Sequence, residues 1–123
     1  MPRILIVEDD EDLCNLLEQL LLRMGYQVAL ADNGRSALLQ MSKQPVDLVV
    51  TDMLMPEMEG AETILAVRQH YPDVKILAIS GGGISSATTY LRIADALGAN
   101  KILNKPFEPP EFLKAVREVL GQE

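Results

Sequence analysis

The stretch Ile4-Leu5-Ile6-Val7-Glu8-Asp9-Asp10 sets four consecutive apolar residues directly against three acids. A run that short, rich in β-branched residues and without alternation, reads as a strand buried on both faces of a parallel sheet. Comparable runs recur every twenty-odd residues, at Val28–Ala31, Leu48–Val50, Ile76–Ile79 and Ile102–Leu103. Between them lie segments with helical spacing. Leu13, Leu16, Leu17, Leu20, Leu21 and Met24 follow the i, i+3, i+4, i+7 rule and stop at Gly25, a natural C′ residue. Ala37, Leu38 and Met41 mark a shorter helix with Asn33 as N-cap. Ile64, Leu65 and Arg68 belong to another, ended by Pro72, and a further helix spans roughly Ser85–Leu97 before Gly98. Phe112, Ala115, Val116, Val119 and Leu120 define the last, with Pro110 at its first position. Strand–helix alternation five times over predicts an α/β fold: a five-stranded parallel sheet with helices on both faces.

Composition narrows the function. The 123 residues suit one domain, 1–123, with one core and no internal linker. With 48% hydrophobic residues and no low-complexity tract, disorder is excluded. Lys plus Arg number 11 against 18 Asp plus Glu, a net charge of 11 − 18 = −7. An acidic chain with 2 Phe, 3 Tyr and no Trp lacks both the basic field and the stacking surfaces of a nucleic-acid binder. No apolar run approaches the roughly 18–20 residues that span a bilayer. Met1-Pro2-Arg3 precedes only four apolar residues and then five acids, which is no signal peptide. One cysteine forms no internal disulfide, and the expected location is cytoplasmic. Met1 and the short tail after Leu120 fit a complete protein.

In such a sheet, ligands collect beyond the carboxyl ends of the strands. Glu8, Asp9 and Asp10 follow the first strand, Asp52 the third, Ser80 the fourth and Lys105 the fifth. Helix chemistry accounts for Glu11 and Asp12, and partly for Asp10, because acids in a first turn favour the macrodipole. It does not account for Asp52, whose strand Leu48-Val49-Val50-Thr51 should bury it near Glu8 and Asp9. Ionised carboxylates ~5 Å apart repel by about 3 kcal/mol per pair at an effective dielectric near 20. Such a cluster needs a cation. Oxygen ligands without a convergent His or Cys point to Mg²⁺ or a similarly hard divalent ion.

Ile4-Leu5-Ile6-Val7-Glu8-Asp9-Asp10, Asp52-Met53-Leu54-Met55-Pro56 with Gly60, Ile79-Ser80-Gly81 and Lys105-Pro106-Phe107 occur in order, each after its own strand. Together they resemble the receiver domain of two-component response regulators, in its stand-alone form, over essentially the whole chain. The resemblance implies strand order 2-1-3-4-5 in a flavodoxin-like three-layer sandwich. It also implies that Asp52 is a phosphoacceptor taking its phosphoryl group from the histidine of a sensor kinase or phosphotransfer protein. Mg²⁺ would be held by Asp9, Asp52, the backbone carbonyl of Leu54 and, largely through water, Glu8. Ser80 and Lys105 would meet the phosphoryl oxygens, and the Lys105–Pro106 bond would be cis. The expected protein is thus a signalling phosphoprotein whose only chemistry is self-catalysed phosphotransfer and autodephosphorylation. A downstream protein target would read the change. The face carrying Ser85–Leu97, the Ile102–Leu103 strand and the C-terminal helix is the expected output and weak-dimer surface, with Tyr90, Ile93 and Leu97 as an apolar stripe.

Two features depart from the family pattern. Ile102 stands three positions before Lys105, where many members carry an aromatic switch residue, and Gly81-Gly82-Gly83 follows Ser80. Cys14 and the exposed-helix-end His70 read as packing and surface residues, and Met53, Met55 and Met58 as a shield around the acceptor loop. Competing readings fare worse. A degenerate, phosphorylation-independent interaction module should lack the acceptor, metal acid or lysine, and all three are here. A haloacid-dehalogenase-type phosphatase needs a second acid two residues after Asp52, where Leu54 stands. A flavin-phosphate cradle after the first strand would be repelled by Glu8-Asp9-Asp10.

Overall fold

The computed structural model describes residues 2–52, 59–80 and 98–121, with side chains from Glu62 onward in the second stretch. Its elements alternate as the apolar runs require: β1 (Arg3–Val7), α1 (Glu11–Arg23), β2 (Gln27–Ala31), α2 (Gly34–Lys43), β3 (Leu48–Asp52), α3 (Glu59–His70), β4 (Lys75–Ser80), β5 (Lys101–Asn104) and α4 (Pro109–Val119). The strands form one parallel sheet in the order β2-β1-β3-β4-β5. Fold class and strand order are those expected. The segment Ser85–Leu97, the glycines 81–83 and Leu54 with its neighbouring methionines lie outside the described residues.

Period-two geometry explains why continuous apolar runs suit these strands. Leu5, Val7, Val49, Ile76 and Ala78 face one core, which α2 and α3 close with Ala37, Met41, Ile64 and Val67. Ile4, Ile6, Leu48, Val50, Leu77 and Ile79 face the other, closed by Cys14, Leu17 and Leu21 of α1 and Phe112, Ala115 and Val116 of α4. With both faces covered, neither set of side chains can be polar. The three-layer sandwich follows.

The helix-end signals read at Gly25 and Asn33 hold, and Asp10 adds a cap beyond its dipole reading. Asp10 N-caps α1, accepting from the N–H groups of Asp12 (3.0 Å) and Leu13 (3.3 Å). Gly25, at φ +88°, ends the same helix. Its N–H donates to Leu22 O and that of Tyr26 to Leu21 O, the pairing of a Schellman motif. Asn33 accepts from Ser36 N at 2.8 Å as the N-cap of α2.

Two expectations need correction. In α1 the stripe is narrower than six residues: Cys14, Leu17 and Leu21 are buried, Leu13 and Leu20 partly so, whereas Leu16 is 46% and Met24 43% exposed. Leu16 lies roughly 130° round the helix from the buried stripe at about 100° per residue, and Met24 is the C-cap, past the last turn over the sheet. Ile64, Leu65 and Arg68 do share α3, where Ile64 and Val67 are buried and Leu65 is exposed. In α4, Pro109 takes the first helical position that was expected of Pro110, and Glu108 N donates to the Glu111 carboxylate (3.2 Å).

Candidate functional site

The carboxyl edge of the sheet is where the strands deliver their chemistry. Asp52 and Ser80 are the last residues of β3 and β4, and Glu8 and Lys105 directly follow β1 and β5. Pairing holds these positions level: Asp52 stands beside Ile79 and Ser80 beside Asn104. Beyond the strands, Glu8 N donates to Ala31 O (3.0 Å) and Lys105 N to Ser80 O (2.7 Å). Burial then sorts the acids. Glu8, Asp52 and Ser80 are buried, whereas Asp9 and Asp10 are exposed at the rim.

Lys105 Nζ donates to Asp52 Oδ2 at 2.8 Å, joining residues 53 apart in sequence. The Asp52 side chain is 6% exposed and that of Lys105 31%, so the pair runs from a buried acid to a partly exposed ammonium. Burial alone would lower the lysine pKa, but the hydrogen bond and charge of Asp52, helped by Glu8 and Asp10, outweigh it and hold the pKa above its ordinary value. The Lys105–Pro106 peptide bond is cis, as expected.

Glu8 is the strained acid of the site. Its Oε2 accepts from Asp10 N at 3.1 Å, while Oε1 is buried with no hydrogen-bond partner among the described residues. Burial pushes its carboxyl up to about 7, opposed by the Asp10 N–H and Lys105 and reinforced by the Asp52 charge and a hydrogen bond with Asp9. A carboxylate oxygen held from water beside another carboxylate is the setting that a hard cation relieves. Among the described residues no three His, Cys, Asp or Glu side chains close a full metal cage. A cavity of about 490 Å³ of mixed lining, with Glu8, Asp9, Asn15, Leu30, Asp32 and Ser36 in its wall, lies beside Glu8.

The structure brings together Glu8, Asp52, Ser80 and Lys105, with Asp9 at the rim; Leu54 lies outside the described residues. Asp10 has a larger part than its sequence reading assigned. Its side chain starts α1 while its N–H orients Glu8, a double use that only backbone geometry reveals. Cys14 is a buried packing residue whose thiol is pushed up chiefly by burial, then by Glu8 and Glu18, and so is poorly reactive. His70 is exposed in the last turn of α3. Ile102 packs, partly buried, against the core under α2 and α3.

A doubly wound parallel sheet of order 2-1-3-4-5, with acids and a lysine gathered at its carboxyl edge, defines a flavodoxin-like domain with an acidic site at that edge. The model of the response regulator receiver domain matches residues 4–117, and the chain belongs to that family. It is 36% identical over 120 residues to the response regulator receiver protein CpdR of Brucella abortus, covering 98% of both chains. It is 34% identical to the transcriptional regulatory protein CpxR of Escherichia coli, spanning 98% of this chain but 50% of that one. Among solved structures, a putative response regulator from Chloroflexus aurantiacus matches at TM-score 0.86 and 35% identity, covering 98% of each chain. Chemotaxis protein CheY4 of Vibrio cholerae matches at 0.88 and 31%, covering 97% of this chain and 98% of that one. Receiver domains are signalling proteins, not enzymes in the ordinary sense, and their homologues imply a histidine kinase partner and downstream targets. No helix among the described residues is long and apolar enough to cross a membrane.

Proposed function

We propose that residues 1–123 form one cytoplasmic receiver domain in which Asp52 accepts a phosphoryl group from a sensor histidine kinase or phosphotransfer protein and passes the signal to a protein target. The observation that carries this reading is the 2.8 Å contact from Lys105 Nζ to the buried Asp52 Oδ2 at the carboxyl edge of the sheet, beside the buried Glu8. The second Asp52 oxygen is the nucleophile. As its bond to phosphorus forms, the bond to the donor's histidine nitrogen breaks, and negative charge spreads over the equatorial oxygens. Lys105 neutralises one of these oxygens, and the Ser80 hydroxyl, at the neighbouring strand end, donates to another. The buried strand ends hold acceptor and donors in place before reaction, so little reorganisation is needed.

Receiver domains generally use Mg²⁺, and the unpartnered Glu8 Oε1 and its raised pKa support such an ion here. Asp9 and Asp52 would bind it directly, Glu8 largely through water, and the Leu54 carbonyl would complete the protein's share. Bound there, the ion supplies charge neutralisation between the acids and the incoming phosphoryl group. Mass spectrometry after incubation with acetyl phosphate and Mg²⁺ tests the assignment. The wild type should gain one phosphoryl group and Asp52→Asn none. Equal labelling of both overturns it.

A further inference from the structure

β5 is four residues long, lies at the edge of the sheet and, among the described residues, pairs with β4 alone. Its two apolar residues face opposite cores, Ile102 toward α2 and α3 and Leu103 toward α1 and α4. A one-residue slip would exchange them and move Lys105 away from Asp52. A short edge strand therefore needs a pin at its start. The Arg68 guanidinium, in the last turn of α3, is placed to be one. Nη1 donates to Pro72 O (2.6 Å) and Val74 O (2.8 Å), and Nη2 to Gly98 O (2.8 Å) and Asn100 Oδ1 (3.1 Å). Asn100 is itself bound twice to Ile76, accepting from its N–H at Oδ1 and donating to its carbonyl, both at 2.8 Å. The next pair in register is Leu77 with Lys101. Gly98 has φ +95°, and a Cβ there would stand 3.1 Å from Arg68 Nε, so glycine admits the guanidinium stem as well as the turn.

We propose that Arg68, acting with Asn100, is a positioning residue for Lys105. By clamping the starts of β4 and β5 to the end of α3, it sets the strand register that presents the ammonium to Asp52. The clamp lies at the amino-terminal ends of these strands, opposite the site, and Asn100 stands roughly 17 Å from Lys105 at ~3.3 Å per strand residue. The rigid span between them is the four-residue ladder, which ends in the Lys105 N–H bond to Ser80 O. Arg suits the task because its planar fork reaches several carbonyls at once, which a lysine ammonium cannot match. This inference rests on reading Lys105 as the cation beside the phosphoacceptor.

Residue-resolved amide hydrogen exchange on the metal-free full chain tests it, comparing wild type, Arg68→Met, Asn100→Ala and Asn100→Asp. The aspartate variant keeps an acceptor oxygen toward both Arg68 and Ile76. In Arg68→Met and Asn100→Ala, the amides of Asn100 and Lys105 should each lose about tenfold protection, the order expected for loss of a charge-assisted hydrogen bond. Glu8 N–H, bonded to Ala31 O across the sheet, should keep its protection, and Asn100→Asp should behave as wild type. Phosphorylation by acetyl phosphate at saturating Mg²⁺ should slow in the two clamp-breaking variants, with the half-saturating Mg²⁺ concentration unchanged. Loss confined to Asn100, with Lys105 still protected, overturns the proposal. So does an equal fall at Asn100, Lys105 and Glu8, which would mark general loosening. A wild type that takes no phosphate defeats the phosphoacceptor reading and leaves the exchange result to decide the clamp.

Discussion

Replacing Glu8 with glutamine should stabilise the metal-free domain at neutral pH and flatten a pH dependence that the wild type carries. In the folded state the Glu8 carboxyl is raised from 4.5 to about 7, chiefly by burial. Below pH 4.5 both folded and unfolded chains hold the proton, and no penalty exists. Between 4.5 and 7 the unfolded chain releases it while the folded chain keeps it, so stability falls as pH rises. Above the folded value the loss levels off. A shift of 7 − 4.5 = 2.5 at 1.36 kcal/mol each gives about 3 kcal/mol as the full cost. Against the 5–15 kcal/mol that ordinarily holds a domain folded, that is large. Glutamine preserves the side-chain shape and the acceptor toward Asp10 N but has no proton to lose. Urea unfolding at pH 5, 6, 7 and 8 in the presence of a chelator measures the difference between the two proteins, in which all other titrating groups cancel. The variant's advantage should grow across this window toward a few kcal/mol. Parallel stability curves for the two proteins would refute the assignment of a desolvated, destabilising carboxyl at Glu8.

Mg²⁺ should raise the melting temperature of the wild type by mass action, and Asp9→Ala should abolish that shift while leaving the metal-free protein folded, as differential scanning calorimetry would record. Asp52→Asn should lower the Glu8 pKa by removing a repulsive charge, and Lys105→Met should raise it further; carboxyl carbon NMR titration reads both directions. In α1, Leu17→Ala should cost about 2–5 kcal/mol through lost burial and a cavity, whereas Leu16→Ser should change stability by no more than about 0.5 kcal/mol, as judged by denaturant midpoints. Asp10→Ala should cost about 0.5–2 kcal/mol by uncapping α1.

Much of this molecule was legible along the chain because the physics involved is local. Five apolar runs without alternation declare strands covered on both faces. Asn33 and Gly25 announce helix ends through hydrogen bonds that span only a few residues, and Asp10 was read in part through the helix dipole. The acids after β1 and β3 and the lysine after β5 mark the functional edge by their positions at strand ends. The width of the buried stripe on α1 was not legible. Leu16 and Leu17 are equally apolar, and only the placement of the helix on the sheet decides that one packs and the other faces solvent. Nor could the sequence distinguish the chemical states of the clustered acids. Glu8 is driven toward neutrality by burial and by Asp52, while Lys105 reaches Asp52 across 53 positions of chain. Such effects depend on distances of a few ångströms and on the exclusion of water, and both arise only when remote segments meet. The grip of Arg68 on Gly98 and Asn100 is of the same kind. Spacing alone made Arg68 one more polar residue on an amphipathic helix, whereas the folded sheet makes it the point where three elements are tied together.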